Sequence, residues 1–110
     1  MTAIVEVNSD TFENEVLNAE LPVLVDFSAV WCGPCKMLKP VVHELAGEWA
    51  DEVKFVELDV DHSPEIAGRY QVMGVPTLML FVNGEPQERL TGYQPKDRIT
   101  SKLSPHLAVA

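Results

Sequence analysis

Hydrophobic and polar positions alternate with two different periods along the 110-residue chain, and the switches between them predict the elements. "AIVEV" (Ala3 to Val7) alternates briefly and predicts an edge strand. In "NSDTFENEVLNAE", Phe12, Val16 and Leu17 make one apolar helical face, and Asp10 with Glu13 has capping-box spacing behind Ser9 or Asp10. "LPVLVDFSAV" is almost continuously apolar, as in a parallel strand covered on both faces, with Asp26 interrupting it. From Cys32 onward, Leu38, Val41, Val42, Leu45 and Trp49 recur at helical spacing, while Lys36, Lys39, Glu44 and Glu48 fall mostly on the other side. Pro40 sits inside this helix and must remove one backbone hydrogen bond.

The second half begins with another alternating strand, "VKFVELDVD". It puts Val56, Leu58 and Val60 on one face and Glu57, Asp59 and Asp61 on the other, with Phe55 out of pattern. Ser63 followed by Pro64 signals a helix start, and that helix should run to about Tyr70. "GVPTLMLFV" predicts a strand, Asn83-Gly84 a hairpin turn and "QERLTG" the return strand. A last helix over "QPKDRITSKLS" turns Ile99 and Leu103 inward, and Pro105 should end or kink it. The order β-α-β-α-β-α-β-β-α predicts an α/β fold, with helices on both faces of a mixed sheet and a hairpin closing it. The length suits a single domain over 1-110, with no repeat or linker.

Composition narrows the function classes. At 46% hydrophobic, the chain can bury a core without cross-links. Acidic residues outnumber basic ones 17 to 8, giving a net charge of −9, so no nucleic-acid partner is expected. The longest apolar run, Leu78 to Val82, is far short of a membrane span. The start "MTAIVEVNSD" shows neither a basic nor an apolar leader region, so a cytoplasmic protein is expected.

Both cysteines stand in "VWCGPCKM", with only Gly33 and Pro34 between Cys32 and Cys35. A bridge over so small a loop removes little chain entropy, which argues against a structural staple. A structural zinc site needs about four ligands. Two thiols are available, His43 lies two turns beyond Cys35, and nothing places His62 or His106 nearby. Asp59, Asp61 and Ser63 suggest a calcium loop, but Pro64 and Tyr70 stand where that loop needs Gly and Glu. No metal is expected. Redox exchange remains. The pair falls where a strand hands over to a helix N-terminus, which lowers a thiol below its free pKa of about 8.5. Cys32, near the cap, should be the more exposed and attack an external disulfide. Cys35, one turn in, should be shielded and attack Cys32 in turn. Pro34 is tolerated in a first helical turn and stiffens the loop. Asp26, a carboxylate in an apolar strand that feeds the same turn, should have a raised pKa and could exchange a proton with Cys35. Val75-Pro76 reads most simply as a proline opening a strand, the cis form being the minority state of such bonds.

Taken together, "VDFSAVWCGPCKM", "LDVD", "GVPTLMLFVNGE" and "LTGY" make the chain resemble the thioredoxin family from Ala3 to about Leu107. The resemblance implies a thioredoxin fold, a central five-stranded mixed sheet flanked by four helices. It implies reduction of protein disulfides, with Cys32 as nucleophile, Cys35 as resolving thiol and Asp26 as the buried acid. It also implies a cis Pro76 facing the cysteines. Trp31, Gly33, Pro34, Gly74, Val75, Pro76 and Gly92 are cast as the surface that meets disulfide-containing proteins, and an extended peptide could pair with Val75 by strand addition. No cofactor is bound beyond the redox-active Cys32–Cys35 disulfide. NADPH would act only indirectly, through a thioredoxin reductase that recharges a monomer.

Two positions depart from a common form of the family. Ser28 replaces a frequent Trp, and Glu57 stands where many bacterial members carry Lys. If the two strands are neighbours, Glu57 would push the Asp26 pKa further up, and Glu57→Lys should lower it. Two other readings are compatible with the motif: an oxidase or isomerase on the same fold, and a binding module that never turns over. Gly-Pro between the cysteines resembles the reducing members.

Overall fold

The computed structural model describes residues 4–107. Five strands form one mixed sheet: β1 (Val5–Val7), β2 (Val23–Ser28), β3 (Lys54–Asp59), β4 (Thr77–Val82) and β5 (Glu85–Thr91). Their spatial order is β1-β3-β2-β4-β5. β1 and β2 run parallel to β3, whereas β4 is antiparallel to both β2 and β5. Four helices accompany the sheet: a π-type helix at Glu13–Leu17, then α1 (Gly33–Glu48), α2 (Pro64–Arg69) and α3 (Lys96–Leu103), and a short 3-10 turn follows at Ser104–His106. The expected element order and the five-stranded mixed sheet are both present.

The helices fall on both faces because the strands alternate between two cores. On one face Leu24, Phe55, Leu78 and Leu80 meet Leu38, Val42 and Leu45 of α1 and Ile99 and Leu103 of α3. On the other, Val23, Val25, Val56 and Leu58 meet Phe12 and Val16 around the π-type helix and Ile66 of α2. Every residue of β2 from Val23 to Phe27 is buried, as expected of a central strand covered twice. The irregular Phe55 is explained here. β3 is also covered on both faces, and Phe55 packs against Trp49, with ring centroids 6.5 Å apart.

Local signals read from the chain were right in some places and wrong in others. Asn83 (φ 53°) and Gly84 (φ 80°) make the hairpin turn between β4 and β5. Gly is required at the second position: a Cβ there would lie 2.9 Å from the Leu17 carbonyl oxygen. Pro105 falls in the 3-10 turn that ends α3. The capping box of Asp10 and Glu13 does not form. Asn8 supplies the turn instead, its Oδ1 accepting from the Asp10 and Thr11 amides at 2.9 and 3.2 Å. The first helix is wound more loosely than an α-helix, with the Asn18 amide donating to the Glu13 carbonyl at 2.9 Å. The strand expected over "AIVEV" is the three-residue edge strand β1, and Ala3 lies outside the described residues.

Candidate active site

The site lies where β2 passes into α1. Cys32 is the N-cap of α1, in extended conformation, and its Sγ accepts the Cys35 amide at 3.1 Å. Gly33 and Pro34 fill the first two helical positions, where the backbone N–H groups have no helical partner. Cys32 and Cys35 form a disulfide, their Cα atoms 5.3 Å apart. The cap thus points a sulfur at the positive end of a 16-residue helix.

The expected difference in exposure between the two cysteines is not found. Cys32 is 2% exposed and Cys35 5%. The cause is packing: Ala29, Val60 and Val75 enclose the pair, and the Val75 carbonyl oxygen lies 3.6 Å from Cys32 Sγ. Cys35, by contrast, lines a cavity of about 320 Å³ together with Ser28, Lys36, Lys39 and Glu57.

The neighbourhood comes from segments far apart in sequence. The Val75–Pro76 bond is cis, and Pro76 is buried. Gly74 accepts the Thr77 hydroxyl at 2.7 Å, and Gly92 (φ 84°) donates its amide to the Pro76 carbonyl at 2.8 Å, tying the end of β5 to this loop. Trp31 is two-thirds exposed, and its Nε1 donates to Asp61 Oδ2 at 2.7 Å. The pairing of Asp61 with Trp31 escaped the sequence reading, because thirty residues separate the two and nothing local joins them. Val30 and Met73 add exposed apolar surface nearby in the chain.

Asp26 is 4% exposed, and its Oδ1 has no hydrogen-bond partner among the described residues. Its pKa is raised to about 7: burial is the largest cause, the nearby Glu57 carboxylate adds to it, and Lys39 partly offsets both. Asp26 and Glu57 are register partners on neighbouring β2 and β3, as the reading of Glu57 required. Lys39 Nζ lies 3.9 Å from Glu57 Oε2. The sequence placed Lys39 on a solvated helix face, so its role beside the buried acid was missed. Among the described residues, no three His, Cys, Asp or Glu side chains are grouped to hold a metal ion. No helix among them is long and apolar enough to cross a membrane.

A disulfide at a helix N-terminus, beside a proline loop and on the turn that follows the strand of a buried acid, has the chemistry of a redox site. The family model for thioredoxin matches residues 3–105. The chain belongs to the thioredoxin family. It is 41% identical to thioredoxin 1 of Nostoc sp., over 97% of this chain and 100% of that one. It is 44% identical to thioredoxin of Staphylococcus epidermidis, over 96% and 99% of the two chains. It is 46% identical to the chloroplastic M-type thioredoxin of Chlamydomonas reinhardtii, over 92% of this chain and 72% of the relative. With the Cys32–Cys35 pair, membership in the thioredoxin family makes the protein a thiol-disulfide oxidoreductase.

Proposed function

We propose that the protein is a general protein-disulfide reductase of the cytoplasm. The Cys32 thiolate attacks a substrate disulfide. A bond forms between Cys32 and one substrate sulfur, and the other sulfur leaves as a thiolate. Cys35 then loses its proton and attacks Cys32 Sγ, which closes the Cys32–Cys35 disulfide and releases the second substrate sulfur. Two electrons pass from the cysteine pair to the substrate. A thioredoxin reductase, drawing on NADPH, returns two electrons and reopens the pair.

One observation carries this assignment of roles. Cys32 Sγ accepts the Cys35 amide, one of the first-turn N–H groups of α1, so negative charge on Cys32 is the form the helix favours. Asp26, with its pKa near 7, is matched to exchange a proton with Cys35 at neutral pH. The exposed Trp31, with Gly33, Pro34, Gly74, Val75, Pro76 and Gly92, forms the substrate face. There an extended peptide pairs with the Val75 backbone and presents its disulfide to Cys32.

The test uses a disulfide-bonded protein substrate. The wild-type protein should reduce it when supplied with thioredoxin reductase and NADPH. Cys35→Ser should accumulate a mixed disulfide through Cys32, visible as an added mass, and Cys32→Ser should give none. A reduction potential well below the about −180 mV of secretory isomerases accompanies this reading. A value at or above that level assigns the oxidase or isomerase task instead.

A further inference from the structure

Asp26 and Cys35 do not face the same space. Asp26 lines an inner cavity of about 230 Å³ with Ile4, Lys39, Val42, His43 and Glu57. Cys35 lines the outer cavity of about 320 Å³ described above. Two side chains, Lys39 and Glu57, belong to both walls. They are also ion-paired, at 3.9 Å. Lys39 and Glu57 therefore form the wall that the space beside the buried acid shares with the space beside the resolving thiol.

We propose that Lys39 and Glu57 form a proton gate, in which Glu57 relays the proton between Cys35 and Asp26 and Lys39 holds Glu57 in position. The proposal deepens the reductase reading and rests on it. When Cys35 attacks, its S–H proton passes through the outer cavity to the Glu57 carboxylate. Glu57 passes a proton on to Asp26 and returns to its ionised form. The sulfur electron pair left on Cys35 forms the bond to Cys32, and the substrate thiolate departs with the electrons of the broken bond. Glu57 gains one proton and gives one up, so it ends the step with the charge it began with and is again paired with Lys39.

The groups that face Asp26 support this route. α1 contributes Lys39 and His43, β3 contributes Glu57, and β4 places the apolar Leu78 in register with Asp26. Among the described residues that line the cavity with Asp26, Glu57 is the other carboxylate, whose oxygens can take up a proton and pass it on. Lys39 is a positioning residue: its ammonium acts on Glu57 by charge. Cavities of this size, with the charged ends of Lys39 and Glu57 in both walls, admit water to complete the path.

Charge alone and relay predict opposite kinetics for one variant. Glu57→Gln removes a neighbouring negative charge, so the NMR-detected titration midpoint of the Asp26 carboxyl falls in either case. If Glu57 acts by charge alone, Asp26 is a more ionised base at pH 7, and resolution keeps its rate or quickens. If Glu57 relays, resolution slows by about tenfold or more. The measurement is the release of an aromatic thiolate from a mixed disulfide preformed on Cys32, followed from pH 5 to 9. Lys39→Gln, at an exposed helix position, should also slow release and raise the Asp26 midpoint, and Lys39→Arg should restore both. Release from Glu57→Gln at or above the wild-type rate overturns the gate, as does an unchanged rate in Lys39→Gln. A wild-type mixed disulfide that Cys35 never resolves overturns the reductase reading itself.

Discussion

A single carboxylate shows how function is held against stability. Asp26 is a neutral acid at low pH in the folded chain and gives up its proton only near pH 7, whereas an unfolded Asp ionises near 3.8. The folded state therefore binds more protons between these values, and stability falls as pH rises from about 4 to about 7. Above that it is flat in this group. Asp26→Ala should raise the unfolding free energy by about 4 kcal/mol at pH 8, at about 1.36 kcal/mol per unit of pKa difference. The gain should vanish near pH 3. Urea unfolding of both proteins at the two pH values checks this, and an equal gain at both would mean that packing, not ionisation, sets the difference. The sequence alone made Asp26 conspicuous, since a carboxylate in the run Val23 to Phe27 breaks an otherwise apolar strand. It did not reveal Lys39. Helical periodicity assigns Lys39 to the outer face of α1, and only the packing of α1 over β3 brings it to Glu57.

At the scale of elements, the strands were more legible than the turns around the first helix. The unbroken apolar run of β2, the alternation of β3 and the Asn83-Gly84 pair are strong local signals, and each element formed where its signal stood. Asn8 and the π-type winding of Glu13–Leu17 were not legible, because Asn8, Ser9 and Asp10 are all suitable capping residues and only the folded geometry selects among them. Nor was the meeting of Cys32 with Val75, forty-three residues apart, readable from any window of sequence without the family resemblance. The hairpin turn has its own prediction. Gly84→Ala places a side chain at positive φ and drives a Cβ toward the backbone of Leu17, so it should cost about 2 kcal/mol. Its denaturation midpoint should fall without a change in slope. An unchanged midpoint would show that the turn relaxes freely away from the π-type helix.

Across the whole molecule, charge is the uneven quantity. Lys39, Lys54, Lys96 and Lys102 are each engaged with a glutamate, so four of the eight basic residues already have acidic partners while the net charge remains −9. The unbalanced carboxylates repel one another and oppose compaction. Raising NaCl from about 10 to about 150 mM shortens the screening length to roughly 8 Å and should raise the melting temperature at pH 7. At pH near 4.6, where the net charge vanishes, the same addition should do little. Calorimetry at both pH values decides it, and a salt response of equal size at each would assign the effect to something other than repulsion.

The two outermost strands have a further consequence. β1 is only three residues long, and β5 carries Pro86, Glu85 and Glu88 beside a register shift at Leu80 and Phe81. Neither margin offers a long, flat run of unpaired amides on which a second molecule could template itself. Under the proposed function, this leaves an extended guest the short backbone stretch at Val75, next to the disulfide, rather than the sides of the sheet. The same trimming guards a concentrated protein against fibre growth.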